Sequence, residues 1–212
     1  PNSHRLEVSF YQRLTDDRCG DSGTEAGLWS IIHKDSIVDF QMEKVKTLDL
    51  SWFPEPFSIY DHPALAPVAL TMVLPTSANA AELEAAGLVT AKLGKLIGAN
   101  MLDLSVSLGK LPSSGHVVMV GQNGSVSELL NAQIELPLPP TATGFAGSVP
   151  VQAQEGVVQL GSRADGSALL LVSSSSADGL LAAAQAVADG DSLRLMSGSY
   201  TIVKGSPQPV RL

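Results

Sequence analysis

Three apolar runs punctuate the chain: VALTMVLP (Val68–Pro75), HVVMVG (His116–Gly121) and SALLLVSSSS (Ser167–Ser176). A strand covered on both faces has no solvent side to alternate with, so it reads as a continuous apolar stretch. After the first run the period changes. From Ala80 to Asn100, Leu83, Ala86, Val89 or Thr90, Leu93, Leu96 and Ile97 recur at helical spacing, while Glu82, Glu84, Lys92 and Lys95 fall off that face. Ser77 or Asn79 can cap the first free amides of this helix, and Gly98 can end it. MLDLSVSL (Met101–Leu108) alternates as a strand does. QNGS (Gln122–Ser125) caps a short helix over Val126–Gln133, and a second long helix runs from Ala177 to Gly190. Glu155–Arg163 is a strand followed by a turn, and Leu193–Gly205 supplies a last strand or hairpin. Glu135–Gln154, rich in proline and threonine without a period, reads as loop. Alternating strands and helices of this kind predict an α/β fold, a flavodoxin-like doubly wound and mostly parallel sheet over residues 68–212.

Residues 1–48 follow another pattern. HRLEVSFYQRL (His4–Leu14) alternates, LTDDRCGDSGTEAG is polar and turn-rich, and LWSII (Leu28–Ile32) and SIVDFQME (Ser36–Glu43) read as short strands. Three strands without a helix cannot enclose a core. They predict the closing strands of a β-sandwich, and the abrupt start at Pro1-Asn2-Ser3-His4 reads as a cut from something longer. Residues 49–67, with four prolines, predict a stiff, extended linker.

Composition narrows the partners. Hydrophobic residues make up 44% of the chain and charged ones 16%, with a net charge of −8. An acidic chain without a basic cluster argues against nucleic acid and anionic membrane surfaces. Cys19 is the single cysteine, which rules out an internal disulfide and a multi-cysteine metal site. No apolar run reaches the length that spans a bilayer, about 18 residues.

Ligands of a doubly wound sheet sit beyond the carboxyl ends of its strands. Those ends carry Thr76-Ser77-Ala78-Asn79, Gln122-Asn123-Gly124-Ser125 and Ser173–Ser176, all neutral. None offers the carboxylate, imidazole or thiolate that a general base or metal ligand requires, which argues against an enzyme. GxGxxG, GxxxxGK[ST] and GxSxG are absent, and His4, His33, His62 and His116 show no metal-ligand spacing. PTSANA has the hydroxyls of a flavin phosphate loop without its glycine, so no cofactor is expected. The remaining candidates are aromatic. Trp29, Trp52, Phe53 and Tyr60, with Phe57, could lay flat rings against the C–H faces of a sugar near the domain junction. The competing reading is that they staple the linker in place.

The order of segments resembles a known family. "DDRCGD", "LWSIIHKDSIVDF" and "FPEPFSIYD", leading into "VALTMVLPTSANAAELEAAGLVTAKLG", then "HVVMVG" and "ALLLVSSSSADGLLAAAQAVAD", are similar to the BcsB family of bacterial cellulose synthase components over essentially the whole chain. The resemblance implies alternating β-sandwich carbohydrate-binding modules and flavodoxin-like domains outside the cytoplasmic membrane, with a C-terminal anchor absent from this chain. It implies a non-catalytic partner of the membrane-embedded cellulose synthase catalytic subunit that helps guide or export nascent β-1,4-glucan. The family is often labelled as binding cyclic di-GMP, yet no arginine cluster here could hold two phosphates. Two other readings stand beside it. One is a flavodoxin-like domain holding a small anionic ligand through Thr76, Ser77 and Asn79. The other is a structural spacer that self-associates or assembles with the synthase.

Overall fold

The computed structural model describes residues 48–57, 68–97, 102–130 and 134–205. The expected sandwich strands of residues 1–48, and with them Trp29 and Cys19, lie outside these residues except for Leu48; so does Tyr60.

The elements, in chain order, are β1 (Val68–Leu74), α1 (Ala80–Ile97), β2 (Leu102–Leu108), β3 (His116–Gln122), α2 (Asn123–Leu129), β4 (Ile134–Glu135), β5 (Pro140–Thr141), β6 (Gly144–Phe145), β7 (Gly156–Arg163), β8 (Ala168–Ser174), α3 (Ala177–Ala188), α4 (Gly190–Arg194) and β9 (Tyr200–Val203). The main sheet runs β2-β1-β3-β8-β7, and the far edge of β7 pairs with both β4 and β9. β2, β1, β3 and β8 are mutually parallel. β7 is antiparallel to β8, β4 and β9. The expectation of a mostly parallel α/β sheet is met. β7 departs from a wholly parallel order because the turn at Ala164–Ser167 folds it straight back onto β8 as a hairpin.

The two faces of the sheet are covered differently. Leu70, Met72, Val118, Val120, Leu170, Val172 and Val158 face α1 and α3, whose Val89, Leu93, Leu180 and Val187 complete the main core. Lys92 Nζ donates to the Ala188 carbonyl at 3.1 Å and ties the two helices together. Gly156 lets α3 close on β7, since a Cβ there would collide with the Gly179 carbonyl. On the opposite face Val73, Val117, Met119, Leu169 and Leu171 meet Val126 of α2 and side chains such as Leu111 and Leu136 from irregular segments.

A cover of irregular backbone must have its polar groups satisfied individually. Two buried side chains of β7 do this. Gln159 Nε2 donates to the Leu138 carbonyl at 2.7 Å while its Oε1 accepts from Leu138 N at 2.9 Å. The Arg163 guanidinium donates to the carbonyls of Pro112 and Gly115, within residues 109–115 that link β2 to β3. That link carries no helix, so Arg163 fixes a crossover that a helix usually makes.

Several sequence expectations need correction. Leu83 and Leu96, placed on the buried face of α1, are 54% and 38% exposed, whereas Glu82, placed off it, is 1% exposed. The short helix after β3 starts at Asn123 and ends at Leu129. Residues 135–154, read as loop, contain the small β5–β6 hairpin and the end of β4. In the described part of the linker, Leu50–Trp52 forms a 3-10 turn rather than an extended run, because Leu50 and Phe57 turn inward and are buried.

Candidate functional site: the carboxyl end of the sheet and the docked linker

The carboxyl ends of β1, β3 and β8 meet where a doubly wound sheet ordinarily takes its ligand. Asn79 begins the construction. Its Oδ1 accepts from Glu82 N at 3.1 Å, and Glu82 Oε2 accepts from Asn79 N at 2.9 Å, a reciprocal capping box. The same carboxylate reaches further, with Oε1 accepting from Gln122 N at 2.9 Å at the end of β3. Asn79 Nδ2 closes the set by donating to Gln122 Oε1 at 3.1 Å. Only glycine at position 121 leaves room for this approach, since a Cβ would sit 2.7 Å from Val126 Cγ1 and 3.3 Å from Glu82 Oε1.

The N-terminus of a helix attracts an anion through its free amides and dipole. Here the Glu82 carboxylate, in the first turn of α1, takes the amides of Asn79 and Gln122 beside that end. That also explains its burial against the helical pattern: it is drawn inward by its hydrogen-bond partners, the amides of Asn79 and Gln122, rather than by apolar contact. Of the residues proposed to hold an anionic ligand, Asn79 is committed to the cap. Thr76 and Ser77 are exposed, and with Ser125 and Glu128 they line an open cavity of about 330 Å³. Glu128 adds negative charge there, so this lining disfavours a phosphate. The sequence view of the strand ends as wholly neutral is corrected by Glu82 and Glu128. The Asn79-x-x-Glu82 spacing was the available signal.

Beside this, the β5–β6 hairpin lies against the ends of β3 and β8. Asn123 Nδ2 donates to the Gly144 carbonyl at 2.6 Å and to Ser175 Oγ at 3.2 Å. Ser174 Oγ donates to the Glu155 carbonyl at 2.8 Å, and Ser176 Oγ caps α3 by accepting from Gly179 N at 3.1 Å. The serine run after β8 therefore serves the fold. Buried Asn123 Oδ1 and Ser173 Oγ have no partner among the described residues.

The linker docks on other surfaces. Asp49 Oδ1 accepts from Ser51 N at 2.8 Å and from Gly198 N at 2.9 Å, and Leu50 N donates to the Gly198 carbonyl at 2.7 Å. The backbone amide of Ser51 holds the Asp49 carboxyl below its ordinary range. Phe57, fully buried, lies 6.2 Å from Phe53 and meets His116 edge-on at 5.6 Å, measured between ring centres. His116 Nδ1 accepts from Ala168 N at 3.1 Å, which puts the ring proton of the neutral form on Nε2. Burial pushes the His116 pKa down, partly countered by the Asp165 carboxylate. Of the proposed sugar-contact residues, Phe53 packs against the main core while Trp52 stands 54% exposed. Trp29 and Tyr60 are among the residues not described.

Fold and site together define an α/β domain with a mixed, mostly parallel sheet, whose strand ends are tied together by their own side chains. Residues 49–203 match the family described as cellulose synthase BcsB, first FD domain, and the chain belongs to that family. It is also 28% identical over 144 residues to a protein of Pseudomonas fluorescens (strain SBW25) named cyclic di-GMP-binding protein. That match covers 68% of this chain and 18% of the relative, so the chain spans less than a fifth of the relative's length.

Proposed function

We propose that this domain, a variant of the flavodoxin-like plan with an antiparallel β7, is part of a non-catalytic, extracytoplasmic component of a bacterial cellulose synthase complex. In this reading it helps guide nascent β-1,4-glucan leaving the membrane-embedded catalytic subunit, and a C-terminal segment beyond this chain anchors it. Weak contacts at several points suit a moving polymer, because tight binding at one point would stall it. The observation that carries the reading is the match of residues 49–203 to a cellulose synthase family domain, in which Asn79, Glu82 and Gln122 at the carboxyl end of the sheet are committed to one another. No helix among the described residues is long and apolar enough to cross a membrane.

Cyclic di-GMP, from the relative's name, is not carried over to this part of the chain. Its two phosphates call for cations free to pair with them, and the Arg163 guanidinium is committed to backbone carbonyls. A second reading, the assembling spacer, draws support from β2. This strand has a partner on one side only among the described residues, and Val106 and Leu108 are 62% and 58% exposed on it. Calorimetric titration of the chain with cello-oligosaccharides, beside Trp52→Ala, separates the two. Guidance predicts saturable millimolar-range binding that the substitution weakens. A stable oligomer by sedimentation, with no response to sugar, would replace guidance with the spacer.

A further inference from the structure

The outer edge of β7 is shared by two short strands. β9 pairs with Gly156–Gln159 and β4 with Ser162–Arg163. Between them lies an open groove of about 550 Å³, lined among others by Asp49, Glu135, Leu136, Leu160, Ser162 and Ser199. This is inside the range of roughly 300–1,000 Å³ found for small-ligand sites. We propose that this groove is a contact track for a neutral, polyhydroxylated chain, a short β-glucan segment. The proposal rests on the guidance reading and gives it a place on the domain.

The chemistry of the lining selects the occupant. Asp49 and Glu135 bring carboxylates, Ser162 and Ser199 bring hydroxyls, and among the described residues no lysine or arginine lines the groove. An anionic ligand would meet only like charge. Sugar hydroxyls, in contrast, donate to carboxylates and exchange hydrogen bonds with serine, and bonds to ionised acceptors are the stronger ones. Glu135 and Ser162 face each other in the β4–β7 register, with Ser162 Oγ donating to Glu135 Oε2 at a long 3.5 Å, a contact that a ligand hydroxyl can replace. Asp49 Oδ1 is committed to Ser51 N and Gly198 N, which fixes the orientation of the carboxylate. Half-buried Leu136 and exposed Pro137 supply the apolar surface that the C–H faces of a sugar ring need. Trp52 belongs to the 3-10 turn that Asp49 caps and keeps more than half of its surface in solvent.

A peptide strand is a poorer occupant. Strand addition requires a run of unpaired backbone groups. Here Leu160 N already donates to the Ser199 carbonyl at 2.8 Å, and a Cβ on Gly161 would sit 2.8 Å from the Glu135 carbonyl, so that edge is covered. The gap is closed to main-chain pairing yet open to a ligand that brings its own hydroxyls.

The test is calorimetric titration of the whole chain with cellohexaose, comparing wild type, the double variant Glu135→Ala/Ser162→Ala, and Glu128→Ala at the carboxyl end of the sheet as control. Glu135 is exposed and Ser162 half-buried, and unchanged thermal melting confirms that the double variant folds. Losing a charge-assisted contact is expected to weaken binding about five-fold or more in the double variant, with Glu128→Ala unchanged. Wild-type affinity in the double variant, with binding still weakened by Trp52→Ala, overturns the groove and leaves guidance standing. No binding by the wild type at ten-millimolar-range sugar overturns both.

Discussion

The carboxyl end of the sheet and the outer edge of β7 are both places where this fold can take a ligand, and they are built in opposite ways. At the carboxyl end, Glu82, Asn79 and Gln122 form a closed set of hydrogen bonds, and Asn123 ties the β5–β6 hairpin across the neighbouring strands. At the β7 edge, carboxylates and hydroxyls line an open groove and the bond between Ser162 and Glu135 is long. The first arrangement commits Asn79, Glu82 and Gln122 to the fold, with Thr76 and Ser77 exposed beside them; the second leaves Glu135 exposed. At the strand ends, then, polar side chains form a structural joint, while at the edge of β7 they line an open groove. The joint made by Asn79, Glu82 and Gln122 is rigid because its bonded polar groups would be costly to bare.

Substitutions sharpen this contrast, beginning with the largest expected effect. Phe57→Ala removes a fully buried ring that holds the linker against His116 and Phe53, and it should cost about 3–5 kcal/mol in chemical denaturation. A cost below about 1 kcal/mol would mean that the linker is not docked as described. Glu82→Ala removes the carboxylate half of the capping box and strands the amides of Asn79 and Gln122, so a loss of about 2–4 kcal/mol is expected. Glu82→Gln, which keeps one acceptor oxygen, should lose less. If Glu82→Ala instead melts like wild type, the carboxyl end is open and the comparison fails.

The smallest effect is on pH dependence. Burial lowers the pKa of His116, so the unfolded chain takes up its proton before the folded chain does. This contribution is fully present above the unfolded value of 6.5 and is lost as pH falls from there toward the folded value. Stability should therefore decline as pH falls below 6.5 in wild type and decline less in His116→Gln. Asp165 titrates in a separate window. Hydrogen bonds from Ser167 hold its pKa at about 2, and its contribution is lost only as pH falls below 3.8.

Most of the described fold was legible in the sequence, because the buried strands and long helices carry strong periods. β1, β3 and β8 coincide with the apolar runs, and α1 and α3 begin where Asn79 and Ser176 can cap them. The direction of β7 follows from its short link: Ala164–Ser167 is too short for a parallel crossover, so the turn read after β7 already implied an antiparallel neighbour. Arg163 and Gln159 were invisible, since their role is to satisfy backbone groups far away in sequence. Glu82 was misplaced for a related reason. Helical periodicity sorts side chains by apolarity and is blind to a carboxylate drawn inward by hydrogen bonds. At the linker, the aromatic cluster was visible as a group, but its division between buried Phe57 and exposed Trp52 depends on the turn at Leu50–Trp52. The groove could not have been read from sequence at all, because its lining comes together from four separate segments.

The most direct test of the contrast is residue-resolved mapping of backbone amide shifts as cellohexaose is added to the labelled chain. The account predicts saturable shifts at Asp49, Glu135, Ser162, Gly198 and Ser199, with Thr76, Ser77, Gly124 and Ser125 unmoved. Shifts confined to Thr76, Ser77, Gly124 and Ser125 would contradict it and return the ligand to the carboxyl end of the sheet.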